Sequence, residues 1–466
     1  MQDLPTVSIF PPNSKPLFFI MADPIISISG LRGIIGSELT PSIAVRFASA
    51  LCCSLEKGPF VLARDGRVSG PMLVDAIASA IVAHGRDCLD LDVASTPTAG
   101  LNVRHLRAAG GIQVSASHNP PPYNGMKLFG PDGRVLSAGP GKKVLESYNA
   151  NATNWVGVES LGRRIRVGNP HEIHGNAVLA TVDVPLIRKA KFKVLLDSNH
   201  GAGGILGAVL LRELGCEVTV LGDAATGLFD HPPEPIAENL GSVCSIVAQG
   251  PFDIGFCQDP DADRLAVIDA NGHFIGEEYT AVLCSLGRLS REKGPLVTNC
   301  ASSNLTRWLA EKHNVPFVQT AVGEANVADG ILANNAIYGG EGSGGPIDPK
   351  VGLIRDSFVG MAQILELMAK SKKTLEQLVS SFPPMTMIKD KMSMSKDVLM
   401  ESLKVLENGM GAKNISQLDG VRLDWDDQWI LLRASNTEPI VRLIAEAPTA
   451  EQASGLIKKA KGLLGL

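Results

Sequence analysis

Apolar residues follow two different patterns along this chain, and the switch between them divides it. From about Ile25 to Leu378, short apolar runs that read as strands alternate with longer stretches at helical spacing. Phe60-Val61-Leu62-Ala63 is such a run. It precedes a helix opened by Gly70-Pro71, with proline at a favourable first-turn position, in which Met72, Leu73, Ala76, Ile77, Ala80 and Ile81 share a face and Gly85 ends the pattern. Thr40-Pro41 opens an earlier helix in the same way. A second cycle starts at Phe192 to Leu196, passes the turn holding Gly201, Gly203 and Gly204, and enters a helix over Ile205 to Leu214. Val218 to Leu221 and Ile254 to Cys257 then read as buried strands. A third cycle runs from Leu296-Val297-Thr298 through a helix at Leu305 to Lys312 and on to Glu341. Alternation of this kind predicts α/β layers with mixed, largely parallel sheets.

After Pro383-Pro384 the pattern changes. Val421 to Leu423, Trp429 to Leu432 and Ile440 to Ile444 read as antiparallel strands, and Thr449-x-x-Gln452 forms a capping box that opens a final helix. The expected division is an extension at 1–20, α/β domains at 21–159, 160–272 and 273–380, and a smaller α+β domain at 381–466. The extension holds four prolines and no helical periodicity, and is expected to be disordered.

Composition narrows the function. A chain of 466 residues with 45% apolar and 20% charged residues can bury several cores. A formal net charge of −5 supplies no basic field, which argues against nucleic acid as the partner and leaves an anionic small molecule to local arginines. The eight cysteines form no C-x-x-C pair and several sit in apolar runs, so they are expected to be reduced thiols of a cytoplasmic protein. The apolar stretch Leu17 to Ala22 is too short for a membrane span, and no membrane partner is expected.

Three clusters carry chemistry. Ser117, in Ser115-Ala116-Ser117-His118-Asn119-Pro120, follows an apolar strand at a strand-to-loop corner. A serine hydroxyl needs a base or a charge to become a nucleophile, and His118 and Lys127 are candidates to tune its proton transfer. No G-x-S-x-G elbow is present, which argues against an esterase. Asp259, Asp261 and Asp263 place carboxylates at alternate positions of a loop, so three hard oxygens can converge on one cation. Arg264 stands where an EF-hand needs glycine and Ala270 where it needs glutamate, which disfavours a calcium sensor. Arg433, Ser435, Asn436 and Thr437, with Arg442, surround a tight turn with groups suited to a phosphate dianion. Glu341 and Ser343 lie on a glycine-rich loop, and Gly30-Leu31-Arg32-Gly33 and Arg64-Asp65-Gly66-Arg67 each set arginine among glycines, a weaker signal. His174, His231 and His313 read as surface or structural residues.

Taken in order, these motifs resemble the α-D-phosphohexomutase family of phosphoglucomutases, phosphomannomutases and phosphoglucosamine mutases, from about Ser27 to Leu463. The resemblance implies a phosphorylated Ser117, a magnesium loop at Asp259, Asp261 and Asp263 followed by Arg264, and a sugar-recognition loop at Glu341 and Ser343. It also implies a phosphate-binding loop at Arg433, Ser435, Asn436 and Thr437, with Arg32 and Lys127 in the catalytic centre. The implied fold sets three related α/β domains and a smaller fourth around a central cleft. The implied reaction interconverts hexose 6-phosphate and hexose 1-phosphate through a phosphoserine enzyme and a hexose 1,6-bisphosphate, with one Mg²⁺ per subunit, in a monomer or homodimer.

Two departures bear on detail. Many members carry histidine where this chain has Gly345, so its proton-transfer role is expected on Lys127, His118 or Arg32. Gly340 to Gly345, with Arg355-Asp356 downstream, is similar to a bacterial subgroup assigned as phosphoglucosamine mutases, whereas Ser435-Asn436-Thr437 is closer to glucose and mannose enzymes. Glucosamine phosphate is slightly favoured as substrate. Two other readings compete. A haloacid-dehalogenase-type phosphatase would use Asp259-x-Asp261 after its strand, but has Asp263 in place of its usual Thr or Val and leaves Ser117 and Arg433 unexplained. A non-catalytic phosphosugar-binding paralogue would account for Gly345.

Overall fold

The computed structural model describes residues 24–27, 30–394, 396–435 and 440–465. The expected extension at 1–20 lies outside them. Strands and helices alternate as the apolar pattern requires. Thr40 caps the helix Pro41–Ser54 by accepting from Ile43 N, and the helix Gly70–Ala83 begins at its Gly-Pro pair. The predicted capping box at Thr449 and Gln452 is present at the start of Ala450–Leu464.

A four-strand unit occurs three times. In the first, Phe60–Arg64 pairs in parallel with Cys88–Val93 and with Gly110–Val114, and Tyr123–Phe129 closes the unit antiparallel to Gly110–Val114. Lys193–Asp197, Glu217–Leu221, Ile254–Gln258 and Leu265–Asp269 repeat that order and those directions, and so do Leu296–Asn299, Phe317–Thr320, Tyr338–Glu341 and Gly345–Ile347. The first unit is extended to seven strands by Ile25–Ser27, Gly30–Ile34 and Arg164–Arg166. Each repeated unit is therefore a parallel core closed by one antiparallel strand, and each candidate loop of these three domains connects the last two strands of its unit.

The strand Glu217–Leu221 corrects one expectation. It pairs only with Lys193–Asp197 at the sheet edge, and its residues are exposed or half-buried rather than buried. Two strands of similar composition thus differ in burial because only Ile254–Gln258 has neighbours on both sides.

One continuous apolar cluster runs through the first three domains, including Val61, Val103, Phe129, Leu196, Phe256, Leu296 and Phe358. Burial at about 25 cal/mol per Å² makes such a shared core the main force holding three sheets in fixed relation. The fourth domain has its own core. Five antiparallel strands, Thr386–Met392, Val441–Ala447, Trp429–Ala434, Val421–Asp424 and Asn414–Ser416 in spatial order, cover one face with helices over Lys396–Gly409 and Ala450–Leu464. Trp429, Leu431 and Ile444, on the other face, pack on Cys300, Ala301 and Val322 of the third domain. All eight cysteines are free thiols and six are buried.

Candidate functional site

Ser117 sits just beyond the end of Gly110–Val114 with φ +50°, a left-handed conformation that costs a non-glycine residue about 1 kcal/mol or more. Neighbouring groups hold it there. Ser115 Oγ donates to Asp65 Oδ2 at 2.6 Å and accepts from Ser117 N at 2.8 Å. Arg67, 2% exposed, donates to four loop carbonyls: Nη1 to Pro120 O and Tyr123 O, Nη2 to Ser117 O and Asn119 O, at 2.6–3.0 Å. Its Nε and backbone N reach Asp65. Burial pushes the Asp65 carboxyl up from its ordinary range, although Arg67 and the Ser115 hydroxyl act in the opposite direction. The Ser117 hydroxyl donates to Asp259 Oδ2 at 2.6 Å and lies 3.3 Å from His118 Nδ1.

Asp259, Asp261 and Asp263 follow the buried strand Ile254–Gln258 and are themselves inaccessible, with one oxygen from each within 4.8 Å of the others. Asp259 Oδ1 accepts from the backbone N–H of Asp263 and Arg264, which folds the loop back on itself. Ala262 takes φ +55°, and its carbonyl accepts from Ser357 Oγ. The outward oxygens have cationic or hydroxyl partners. Lys127 Nζ bridges Asp261 Oδ2 (3.1 Å) and Asp263 Oδ2 (2.6 Å), Thr96 Oγ1 donates to Asp261 Oδ2 (2.5 Å), and Arg355 Nη2 donates to Asp263 Oδ2 (2.7 Å).

Among the described residues, Oδ1 of both Asp261 and Asp263 is buried without a hydrogen-bond partner. Burial, with Asp261 and Asp263 beside it, pushes the Asp259 carboxyl well up. Asp261 is also opposed by burial, yet Lys127 and Thr96 bring it below its ordinary value. Burial alone would lower Lys127, but Asp261 and Asp263 outweigh it and raise the ammonium above its usual range. Orphaned hard oxygens and an excess of negative charge fit a small divalent cation.

The third loop touches the second directly. Leu265 N donates to Gly344 O at 2.8 Å, and Gly344 takes φ +85° where any side chain would strike the Leu265 carbonyl. Glu341 is buried and engaged on both oxygens: Oε1 accepts from Asn299 Nδ2 (2.8 Å) and Gly323 N (3.1 Å), Oε2 from Arg355 Nη1 (2.9 Å). Arg355 also meets Glu324, and it is fixed at the start of Ser357–Ser371, a helix capped by Asp356. A Cβ on Gly345 would lie 2.3 Å from Arg355 Cδ. The space of a side chain at 345 is thus filled by Arg355, a residue the sequence expectation for Lys127, His118 or Arg32 did not include. Ser343 is half-buried on the same loop.

Arg32 Nη1 donates to Asn119 Oδ1 at 3.0 Å, so it braces the Ser117 loop, and burial followed by Arg264 lowers its pKa. His118 is held well below its usual value by burial and then by Arg264 and Arg32, so it is a neutral imidazole at pH 7. Arg264 Nε approaches Asp263 Oδ1 at 4.0 Å.

In the fourth domain, strand register places Arg433 opposite Arg442 and Arg442 opposite Lys391, so three cations stand side by side on one sheet face. This face continues from the one packed on the third domain. Lys391 was not singled out in the sequence. Arg433, 4% exposed, meets Asp419 Oδ2 at 3.0 Å, and Ser435 N donates to Ile440 O. Asn436 and Thr437 lie outside the described residues.

The structure therefore brings Ser117, Lys127 and the three aspartates into direct contact and joins Glu341 to them through Arg355. No described contact links Arg433 directly to that group. Its connection runs through Asp419, which accepts from Val322 N at 3.1 Å beside Gly323, the donor to Glu341. Asp65, Arg67, Thr96 and Arg355 are the site residues that motif reading underrated, since their partners are far away in sequence.

Comparison with known proteins matches all four domains. Models of the phosphoglucomutase/phosphomannomutase α/β/α domains I, II and III match residues 25–155, 173–272 and 276–385, and the model of the C-terminal domain matches 387–460. A Thermococcus kodakarensis protein named "Phosphoglucomutase/phosphomannomutase" is 37% identical over 91% of this chain and 94% of its own length. A Pyrococcus horikoshii protein named "Probable phosphoglucosamine mutase" is 33% identical over 94% of this chain and 96% of its own. A crystal structure of a phosphoglucomutase/phosphomannomutase family protein from Burkholderia thailandensis superposes with a TM-score of 0.82 at 25% identity, covering 94% of this chain and 96% of that one. These matches lend no support to the dehalogenase-type or non-catalytic readings.

Proposed function

The chain belongs to the phosphoglucomutase/phosphomannomutase family, and from that premise we propose that it interconverts hexose 6-phosphate and hexose 1-phosphate through phosphorylated Ser117. The observation that carries this reading is the 2.6 Å contact between Ser117 Oγ and Asp259 Oδ2, which joins a held serine to a three-carboxylate loop from another domain.

Asp259, Asp261 and Asp263, with an oxygen on Ser117, would hold Mg²⁺, which offsets phosphoryl charge during transfer. Phosphoserine adds roughly −1.5 to −2 charges at pH 7, so the Lys127 and Arg355 cations also serve to keep the pocket close to neutral. Arg67 keeps the loop carbonyls fixed, so Ser117 Oγ can lose and regain its phosphoryl group without the turn relaxing. Arg433, with Ser435, Asn436, Thr437 and Arg442, binds the non-reacting phosphate, and Arg264, Glu341 and Ser343 meet the sugar. His118, neutral at pH 7, is placed to exchange a proton near Ser117 Oγ, and Arg32 orients the loop beside it.

Hexose 1,6-bisphosphate is the intermediate and activator in this scheme. Glucosamine phosphate is slightly favoured over glucose or mannose phosphate as the sugar, acted on in the cytoplasm by a monomer or homodimer. No helix among the described residues is long and apolar enough to cross a membrane. The test is Ser117→Ala. Protein treated with glucose 1,6-bisphosphate should carry one phosphoryl group by intact mass, and the variant should carry none and lose turnover. Full isomerisation by Ser117→Ala refutes the scheme.

A further inference from the structure

Asp419 lies on the turn before Val421–Asp424. Its neighbour Gly420 takes φ +75°, where any side chain would overlap Leu432 O and Arg433 Cα, so the turn is pressed against the end of Trp429–Ala434. This approach sets Asp419 Oδ2 3.0 Å from Arg433 Nη2. The same oxygen accepts from Val322 N of the third domain at 3.1 Å. The adjoining Gly323 N donates to Glu341 Oε1, and Glu341 Oε2 accepts from Arg355.

We infer that Asp419 is a positioning residue that stands in for the substrate phosphate at Arg433 and returns that arginine to register each time the phosphate leaves. The inference rests on the phosphate-binding reading of Arg433 and deepens it. A nearly buried guanidinium without a counter-charge is unfavourable, and a carboxylate at 3.0 Å supplies one. A phosphate dianion competes for the same guanidinium. It carries more charge and can take two parallel N–H bonds, so it displaces the carboxylate when present. A mutase needs this exchange more than an ordinary kinase does. Its bisphosphate must leave Arg433, turn, and present its other phosphate to the same arginine. A site that held the dianion without competition would resist that release. Through Val322 and Gly323, the position of Asp419 is also read by the turn that fixes Glu341, which couples phosphate engagement to the sugar loop.

The sign of the effect separates this role from a purely structural one. Asp419→Asn keeps an acceptor for Val322 N and removes the charge. The full-length variant should bind inorganic phosphate and glucose 1-phosphate about three- to tenfold more tightly by calorimetry, since the competing ion pair is gone. Its kcat should fall while KM falls with it. Asp419→Ala should shift phosphate affinity in the same direction, and serves if the Asn variant misfolds. Unchanged or weaker phosphate binding in a folded variant overturns the inference. Arg433→Ala runs beside them. If it abolishes phosphate binding while Asp419→Asn fails to tighten it, only the Asp419 role is lost. If phosphate binding survives Arg433→Ala, the phosphate site itself is misassigned and both fall.

Discussion

Replacing Arg355 by glutamine should strengthen magnesium binding while weakening catalysis, a pairing that follows from the charges around it. Arg355 contacts Asp263 Oδ2 at 2.7 Å, Glu341 Oε2 at 2.9 Å and Glu324 Oε2 at 3.4 Å. Glutamine retains a donor but removes a unit positive charge. For a separation on the order of 6 Å and an effective dielectric of about 20, the lost repulsion between a unit charge and a divalent cation is ~5.5 kcal/mol. Release of Asp263 from one cationic partner acts in the same direction, while relaxation of the loop and water entry reduce the gain. A tenfold fall in the magnesium dissociation constant is a conservative expectation, about 1.4 kcal/mol. Turnover should drop on the order of 10²-fold, because Glu341 and the metal loop lose the group that spaces them. The assay is calorimetric titration of Mg²⁺ into the unphosphorylated protein, paired with steady-state kinetics at saturating metal. A magnesium constant that is unchanged or weaker would refute the electrostatic reasoning.

Two further substitutions probe other links. Arg67→Met leaves Asp65 buried without its cation and frees four loop carbonyls, so it should lower the unfolding free energy by about 3–5 kcal/mol. Denaturant unfolding checks this, and magnesium affinity should move little. Glu278 concerns pH. Burial lifts its carboxyl to about 7, although Lys389 of the fourth domain acts in the opposite direction. The folded protein therefore keeps a proton that the unfolded chain releases near the ordinary value of 4.5, and stability should decline as pH rises from about 4.5 to 7. Glu278→Gln should flatten that decline in thermal unfolding measured across the window.

Much of the candidate site was legible because its candidate residues lie in contiguous motifs. Ser117 and the aspartate triad are marked by type and spacing, and the strands that carry them by short, mostly apolar runs. What was not legible depends on contacts between distant residues. Arg67, set among glycines, is only a weak signal until its partners, fifty and more positions away, are in place. Gly345 reads as a lost side chain, and only the fold shows that Arg355 fills its space. The row of Lys391, Arg442 and Arg433 exists through strand register, which no single segment encodes. The edge position of Glu217–Leu221 escaped for the same reason: an apolar run does not say how many neighbours it will have.

The repeated unit explains why chemistry gathers where it does. In each of the first three domains the last strand reverses direction, so the loop before it emerges at the carboxyl end of the parallel strands, where open α/β sheets collect ligands. Ser117, the aspartate triad and Glu341 occupy that one connection in the three copies. The end of the first strand supports it twice. Asp65, just after Phe60–Arg64, accepts from Ser115 Oγ, and Asn299, closing Leu296–Asn299, donates to Glu341. The chemistry of each support matches what it holds: a carboxylate for a hydroxyl, an amide for a carboxylate. In the second copy Asp197 pairs instead with His231, and the aspartate loop takes its support from Lys127, Thr96 and Arg355, all supplied by the other two domains. The middle copy is thus incomplete by itself. Its three acids are tolerable only against cations from both neighbours, so the charge that makes the site useful also requires the domains to stay together.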